Sequence, residues 1–168
     1  TSYAALVNGG YKIKPKVNLN ENYSKEKILK EDVLDLGGGP GSLRKFVRGR
    51  YVNADLTPTT DVFLDVDDDV EEKKLISQIG MFFDTVVCCD LIEHVLNPSN
   101  IFKICKIVLK DKGKVYLNVG QTHKEDEISQ FHPPHLISFS DKSIDFLASQ
   151  FGFTVLERDA GSYILEKN

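Results

Sequence analysis

The sequence predicts an α/β fold, a doubly wound and mostly parallel sheet of seven strands with an antiparallel C-terminal edge strand. Three observations carry this. From Val33 onward, short apolar runs alternate with amphipathic stretches, the rhythm of strand–helix–strand units. The run Phe82 to Asp90 is too continuously apolar for a half-exposed hairpin and suits a parallel strand covered on both faces. Near the C-terminus, two extended runs are split by Ala160-Gly161, a hairpin signal.

Size and composition bound the rest. With 168 residues, the chain suits one domain with its own core, and 41% apolar with 27% charged residues is an ordinary globular profile. Lys and Arg total 21 against 25 Asp and Glu, a net charge of -4, which excludes a uniformly basic nucleic-acid footprint while leaving a local basic patch open. No apolar run approaches the roughly 20 residues of a membrane span, and no signal peptide is visible. The sequence opens on Thr1 without an initiator Met, so a segment ahead of it is left open. Cys88, Cys89 and Cys105 lack C-x-x-C spacing and read as small core residues; this usage fits a reducing cytosol, and the expected location is cytoplasmic.

The elements follow in order. Residues 1–30 are polar, broken by Gly9-Gly10 and Pro15, and form either an irregular lead-in or a lid over a pocket. Ser24 can cap a short helix through Lys30, and Tyr3, Tyr11 and Tyr23 are candidates to cover the site. The domain proper spans 31–168. Val33 to Leu36 is the first strand; Ser42 then caps a short helix with Leu43, Phe46 and Val47 inward, closed by Gly49. Tyr51 to Asp55 and Val62 to Leu64 are the second and third strands. The acidic run Asp67 to Asp69, with Glu71-Glu72 before Lys73-Lys74, reads as the solvated start of a helix with its charges set against the dipole, in preference to a metal site. After the fourth strand, an amphipathic helix runs from Asn100 to Lys110 and stops at Gly113, and Val115 to Val119 is the fifth strand. Ser140 caps a helix with Ile144, Leu147, Ala148 and Phe151 buried, ending at Gly152. Thr154 to Arg158 and Tyr163 to Glu166 close the sheet.

Ligands of open α/β sheets bind beyond the carboxyl ends of the strands. Four strands here end in a carboxylate, Asp35, Asp55, Asp65 and Asp90, and the first leads into Gly37-Gly38-Gly39-Pro40-Gly41. Each acid alone is a common turn-former; together they are expected to ring one crevice. Glycines let backbone approach a ligand, and the chain beyond can present helix N–H groups to a polar, nucleoside-like molecule. A dinucleotide site would show G-x-G-x-x-G and an acid about 20 residues on. Here the order is G-G-G-P-G, and a pyrophosphate would meet carboxylates without an evident Arg or Lys, so NAD is a distant second to a cationic ligand.

Over roughly residues 30–168, the chain resembles the class I S-adenosylmethionine-dependent methyltransferases. Asp35, Gly37, Gly39 and Gly41 match the first motif of that family; Asp55, with Leu56 beside it, falls where the ribose-binding acid belongs, and Asp65-Val66 matches the adenine-contacting pair. Asp90-Leu91 followed by Glu93-His94-Val95 resembles the segment lining the cofactor after the fourth strand. The stretch His135 to Ser140, then a helix ending Phe151-Gly152-Phe153, resembles the closing portion of small-molecule members; Asp111-Lys112 departs from the family's usual Pro-Gly. The resemblance implies a Rossmann-like methyltransferase fold and an S-adenosylmethionine cofactor, leaving as S-adenosylhomocysteine. It also implies in-line transfer of a methyl group to an O or N atom of an acceptor. His132 and His135, flanking Pro133-Pro134, are the acceptor-side candidates, and His94 is expected to touch the cofactor or pack locally. The spacing of His123, His132 and His135 matches no familiar zinc pattern, and no metal site is expected. The family's Asn/Asp-Pro-Pro-Tyr stretch and Pro-Cys pair, found in nucleic-acid members, are missing. A small-molecule acceptor is therefore favoured over a protein or RNA acceptor reached through a partner subunit; a non-catalytic scaffold is the third reading. Oligomeric state is left open, and no membrane partner is expected.

Overall fold

Why the first crossover is not a helix explains how the site is built. In the computed structural model, which describes residues 31–80, 82–119, 135–159 and 161–168, β1 (Val33–Leu36) runs into the glycine loop. Only a single 3-10 turn follows, Arg44–Phe46, with Val47 already extended and no side-chain cap from the expected Ser42. Gly41 N–H bonds to Gly38 and Arg44 N–H to Gly41, so tight turns occupy the space a first helical turn would need. The few residues left before Gly49 fall short of the length that offsets the cost of helix nucleation. Ser24, Tyr3, Tyr11, Tyr23 and the 1–30 lead-in lie outside the described residues, as do His123 and His132.

The remaining elements are β2 (Tyr51–Asp55), β3 (Val62–Phe63), α1 (Glu72–Ile79), β4 (Phe83–Cys89), α2 (Pro98–Val108), β5 (Leu109–Asn118), α3 (Asp141–Gln150), β6 (Phe153–Asp159) and β7 (Ser162–Lys167). The seven strands form one sheet in the order β3-β2-β1-β4-β5-β7-β6. Strands β1 to β5 pair in parallel, and β7 is antiparallel to both β5 and β6. The antiparallel strand therefore sits between β5 and β6, and β6 is the edge. Strand order reverses between β1 and β4, which places a crevice at their carboxyl ends.

Alternation along the strands sorts the core. Leu34, Leu36, Val86, Cys88, Val115, Leu117 and Leu165 face a large cluster built with Leu75 and Ile79 of α1, Ile101, Ile104, Cys105 and Val108 of α2, and Ile144 and Ala148 of α3. Val33, Val87, Tyr116 and Ile164 face the other way, where Leu43, Val47 and Tyr51 pack on them. All three described α-helices thus cover one face. None is long and apolar enough to cross a membrane.

Three further local outcomes differ from the sequence reading. The helix expected through Lys110 ends at Val108, and Leu109 opens β5 directly, so Gly113 lies inside a strand. Strand β3 has two residues where three were expected, flanked by Asp61 N–H on the Asn53 carbonyl and Leu64 N–H on the Asp55 carbonyl. The acidic run precedes α1 without capping it. Asp67 instead accepts from the Leu96 and Asn97 N–H groups at 2.9 and 3.0 Å, satisfying donors ahead of α2. Asp67→Ala is expected to cost about 1 kcal/mol, as loss of a capping acceptor does, measured as a drop in urea unfolding free energy; Asp69→Ala should stay within about 0.5 kcal/mol. By contrast, Ser140 caps α3 as expected, in a reciprocal box with Ser143.

Candidate active site

The glycine loop is closed by β2. Gly37, Gly39 and Gly41 have φ of 74°, 53° and 70°, which turns the chain sharply at the end of β1. Asp55 receives the Gly39 N–H on one carboxylate oxygen and the Thr57 N–H on the other, both at 2.8 Å. The Gly39 carbonyl accepts from Asn53 Nδ2 at 2.8 Å and Thr57 Oγ1 at 3.2 Å. A Cβ on Gly38 would stand 2.5 Å from Asn53 Oδ1 and closer still to Asp35 Oδ2, so only glycine fits there. A Cβ on Gly39 would meet nothing within 4 Å, so that flank of the loop opens outward. Leu91 packs over the first glycine, its Cδ2 2.8 Å from where a Gly37 Cβ would lie.

The four carboxylates do not form a level ring. Asp35 pairs with Asn53 and Val87, a full pleat below Asp55, and is 6% exposed. The Tyr51 hydroxyl donates to it at 2.5 Å, and the Arg44 guanidinium lies 4.7 Å over the Tyr51 ring while pairing with Asp61. Burial lifts the Asp35 carboxyl to about 6; the Tyr51 hydrogen bond opposes the lift and the Asp55 charge adds to it. Beside it, Asn53 Oδ1 is buried with no hydrogen-bond partner among the described residues. Asp65 accepts from Asp67 N–H at 2.9 Å, and the carbonyl of buried Val66 takes Asn100 Nδ2 at 3.0 Å. Leu56 is 52% exposed beyond Asp55. Asp90 has φ 49° and donates its N–H to the Asn118 carbonyl at 3.0 Å, so the chain leaves β4 in a left-handed turn.

Past Leu91, a 3-10 turn, Ile92–His94, meets the segment before α3. The Glu93 carbonyl accepts from Leu136 N–H at 2.8 Å and Ile137 N–H at 3.3 Å. These bonds bring His135 against His94, with ring centroids 4.8 Å apart and planes at 72°. Two histidines expected to have separate duties therefore share one place. The Glu93 side chain, 2% exposed, joins them.

Sequence reasoning did not single out Tyr51 or Asn53, and it gave Gly38 and Glu93 no role of their own within the segments that contain them. The signal was present for two of them: Tyr51, Asn53 and Asp55 alternate along β2, and polar residues in one phase of a buried strand face something polar.

A family model described as a methyltransferase domain matches residues 10–158. The chain belongs to the methyltransferase domain family. A ubiquinone biosynthesis O-methyltransferase of Xanthomonas euvesicatoria pv. vesicatoria is 33% identical over a match covering 51% of this chain and 41% of that protein, so the match spans less than half of the relative. Among solved structures, a SAM-dependent methyltransferase from Archaeoglobus fulgidus superposes with a TM-score of 0.65 at 14% identity, covering 99% of this chain and 100% of that one. The Burkholderia thailandensis 1,6-didemethyltoxoflavin-N1-methyltransferase, solved with 1,6-didemethyltoxoflavin and S-adenosylhomocysteine, gives 0.58 at 16% identity over 84% and 74% of the two chains. The Rossmann-like methyltransferase fold expected from the sequence is the fold of this domain.

Proposed function

We propose that this methyltransferase domain transfers a methyl group from S-adenosylmethionine to an O or N atom of a small-molecule acceptor. The observation that carries the reading is the glycine loop clamped by Asp55 over buried Asp35, within a chain that matches the methyltransferase domain family. The residues fit the donor: the open flank at Gly39 leaves room for it, and carboxylates suit a cation where a pyrophosphate would be repelled. When bound, the donor supplies a methyl group already activated on a sulfonium sulfur.

The chain's own work is then mainly alignment, which can be worth about 7–11 kcal/mol. Asp35, Gly37, Gly39 and Gly41 hold the amino-acid end of the donor. Asp55, beside Leu56, retains lone pairs for ribose hydroxyls after accepting from Gly39 and Thr57. Asp65 and Val66 take the adenine, and Asp90 and Leu91 close the crevice from β4. On the acceptor side stand His94 and His135, flanked by Leu96 and Leu136, which are 77% and 57% exposed. Imidazoles beside apolar side chains suit a small, partly apolar acceptor with a hydroxyl or ring nitrogen, and an imidazole there can take the proton a hydroxyl must lose. His132 is assigned to the same side from its sequence position. The names of the relatives, a quinone-pathway O-methyltransferase and a ring N-methyltransferase, support this acceptor class.

Isothermal titration with S-adenosylmethionine tests the reading; saturable 1:1 binding is expected, and its absence would sink it. Asp55→Ala should weaken that binding by about 1.5–3 kcal/mol, since the carboxylate is to hold both the loop and the ribose. Unchanged affinity would move the ribose acid elsewhere.

A further inference from the structure

We propose that Glu93, His94 and His135 form a binding site for one divalent transition-metal ion, of the zinc, manganese or cobalt type, at the acceptor side of the crevice. One ligand atom from each lies within 4.8 Å of the other two. Burial differs usefully among them: Glu93 is buried, while both histidines are only partly buried, so the site has a fixed floor and an accessible mouth.

The backbone builds this grouping. Glu93 and His94 are consecutive in the 3-10 turn after β4, and His135 arrives from a distant part of the chain. The Leu136 and Ile137 N–H bonds to the Glu93 carbonyl fix the approach of the two segments, so the histidines do not meet by a chance of rotamers. A metal about 2.0–2.1 Å from each donor would need the ligand atoms roughly 3 Å apart, so binding requires these side chains to draw together.

The donor set selects the ion. Two imidazoles and one carboxylate are borderline ligands and suit zinc, manganese, iron or cobalt, whereas calcium and magnesium prefer all-oxygen cages. Three protein ligands also leave positions open, as metal sites that meet a substrate do. This placement deepens the acceptor assignment and, in that respect only, rests on the proposed function. An acceptor hydroxyl entering an open position would lose its proton more readily, and vicinal oxygens could chelate the ion. The sequence-based expectation of no metal weighed the spacing of His123, His132 and His135 and, separately, the acidic run at Asp67 to Asp69. It did not consider Glu93, because nothing in the sequence brings residues 93–94 to residue 135.

The test uses the intact chain and the metals alone. Titration of metal-stripped protein with Zn²⁺ at pH 7.5 should show one equivalent bound with a Kd below about 10 μM, and Co²⁺ should give visible absorption bands that Zn²⁺ removes. His135→Ala and, separately, His94→Gln should each weaken binding on the order of 10–100-fold with the unfolding midpoint retained. Two single variants keep the result readable if one fails to fold. No saturable binding by 100-fold molar excess, or binding untouched by both substitutions, overturns the site; the second outcome would direct attention to the acidic run at Asp65–Asp69. Donor titration on the same samples separates the two proposals. Metal failure with S-adenosylmethionine binding intact removes only the ion and leaves the imidazoles as bases, whereas metal binding with no donor binding removes only the methyl-transfer reading.

Discussion

Asp35→Asn is expected to stabilise the fold at pH 7.5 by about 2–3 kcal/mol while weakening S-adenosylmethionine binding at least tenfold. The stability gain follows from the carboxyl's folded-state value of about 6 against 3.8 unfolded. An acid raised this way binds its proton more tightly in the native state, so wild-type stability from this group falls as pH rises from about 4 to 6 and stays lowered above. Asparagine has the same shape and no charge to desolvate. Its amide can still accept from the Tyr51 hydroxyl, and its NH₂ can supply the donor that buried Asn53 Oδ1 lacks. Urea unfolding across pH should therefore show a gap between variant and wild type that is full above pH 6 and vanishes below pH 4. A variant less stable at pH 7.5 would mean the charge is a net asset to the fold. The affinity loss follows from the proposed contact with the donor's cationic end, and should reappear in wild type as pH falls through about 6.

The second large effect separates two neighbouring glycines. Gly38→Ala puts a methyl group into the Asp35 carboxylate and the Asn53 amide, both held by buried β-strands, and overpacking of this kind costs about 1–3 kcal/mol. Gly39→Ala meets open space, so its stability cost is only the left-handed backbone penalty of about 1–2 kcal/mol at φ 53°. If the donor lies against that open flank, the ranking inverts for binding. Gly39→Ala should lose more affinity per unit of stability lost than Gly38→Ala, read by pairing calorimetric affinities with urea midpoints. Equal ratios for the two variants would argue that the flank at Gly39 is not where the donor sits.

Much of this was legible in the sequence because it is written in local pattern. Strand phases, the glycine loop, Asp55 at a strand tip and the Ser140 cap all depend on residues close in sequence, and all were found. What was not legible depends on how far apart segments are brought. Nothing near Asp35 announces that it lies a pleat below Asp55, since that depends on the register of β1 against β2. Asp67 looks like helix dressing until Leu96 and Asn97 are seen donating to it. The failed helix at Ser42 is a contest between local preference and the glycine turns behind it, and periodicity alone weighs only the first.

The direct passage from Val108 of α2 to Leu109 of β5 has a consequence for how this chain can change length. With no linker between them, one residue inserted at the junction would rotate the helix by about 100° relative to the strand, or turn every side chain of the strand over. Slack exists a few residues later, where β5 advances from Leu109 to Lys114 while β4 advances only from Phe83 to Thr85, through Lys112 at φ 60°. Insertions and deletions in this half of the domain therefore have a natural home inside a strand, at residues 111–113, and are barred from the helix–strand joint where a loop would ordinarily absorb them.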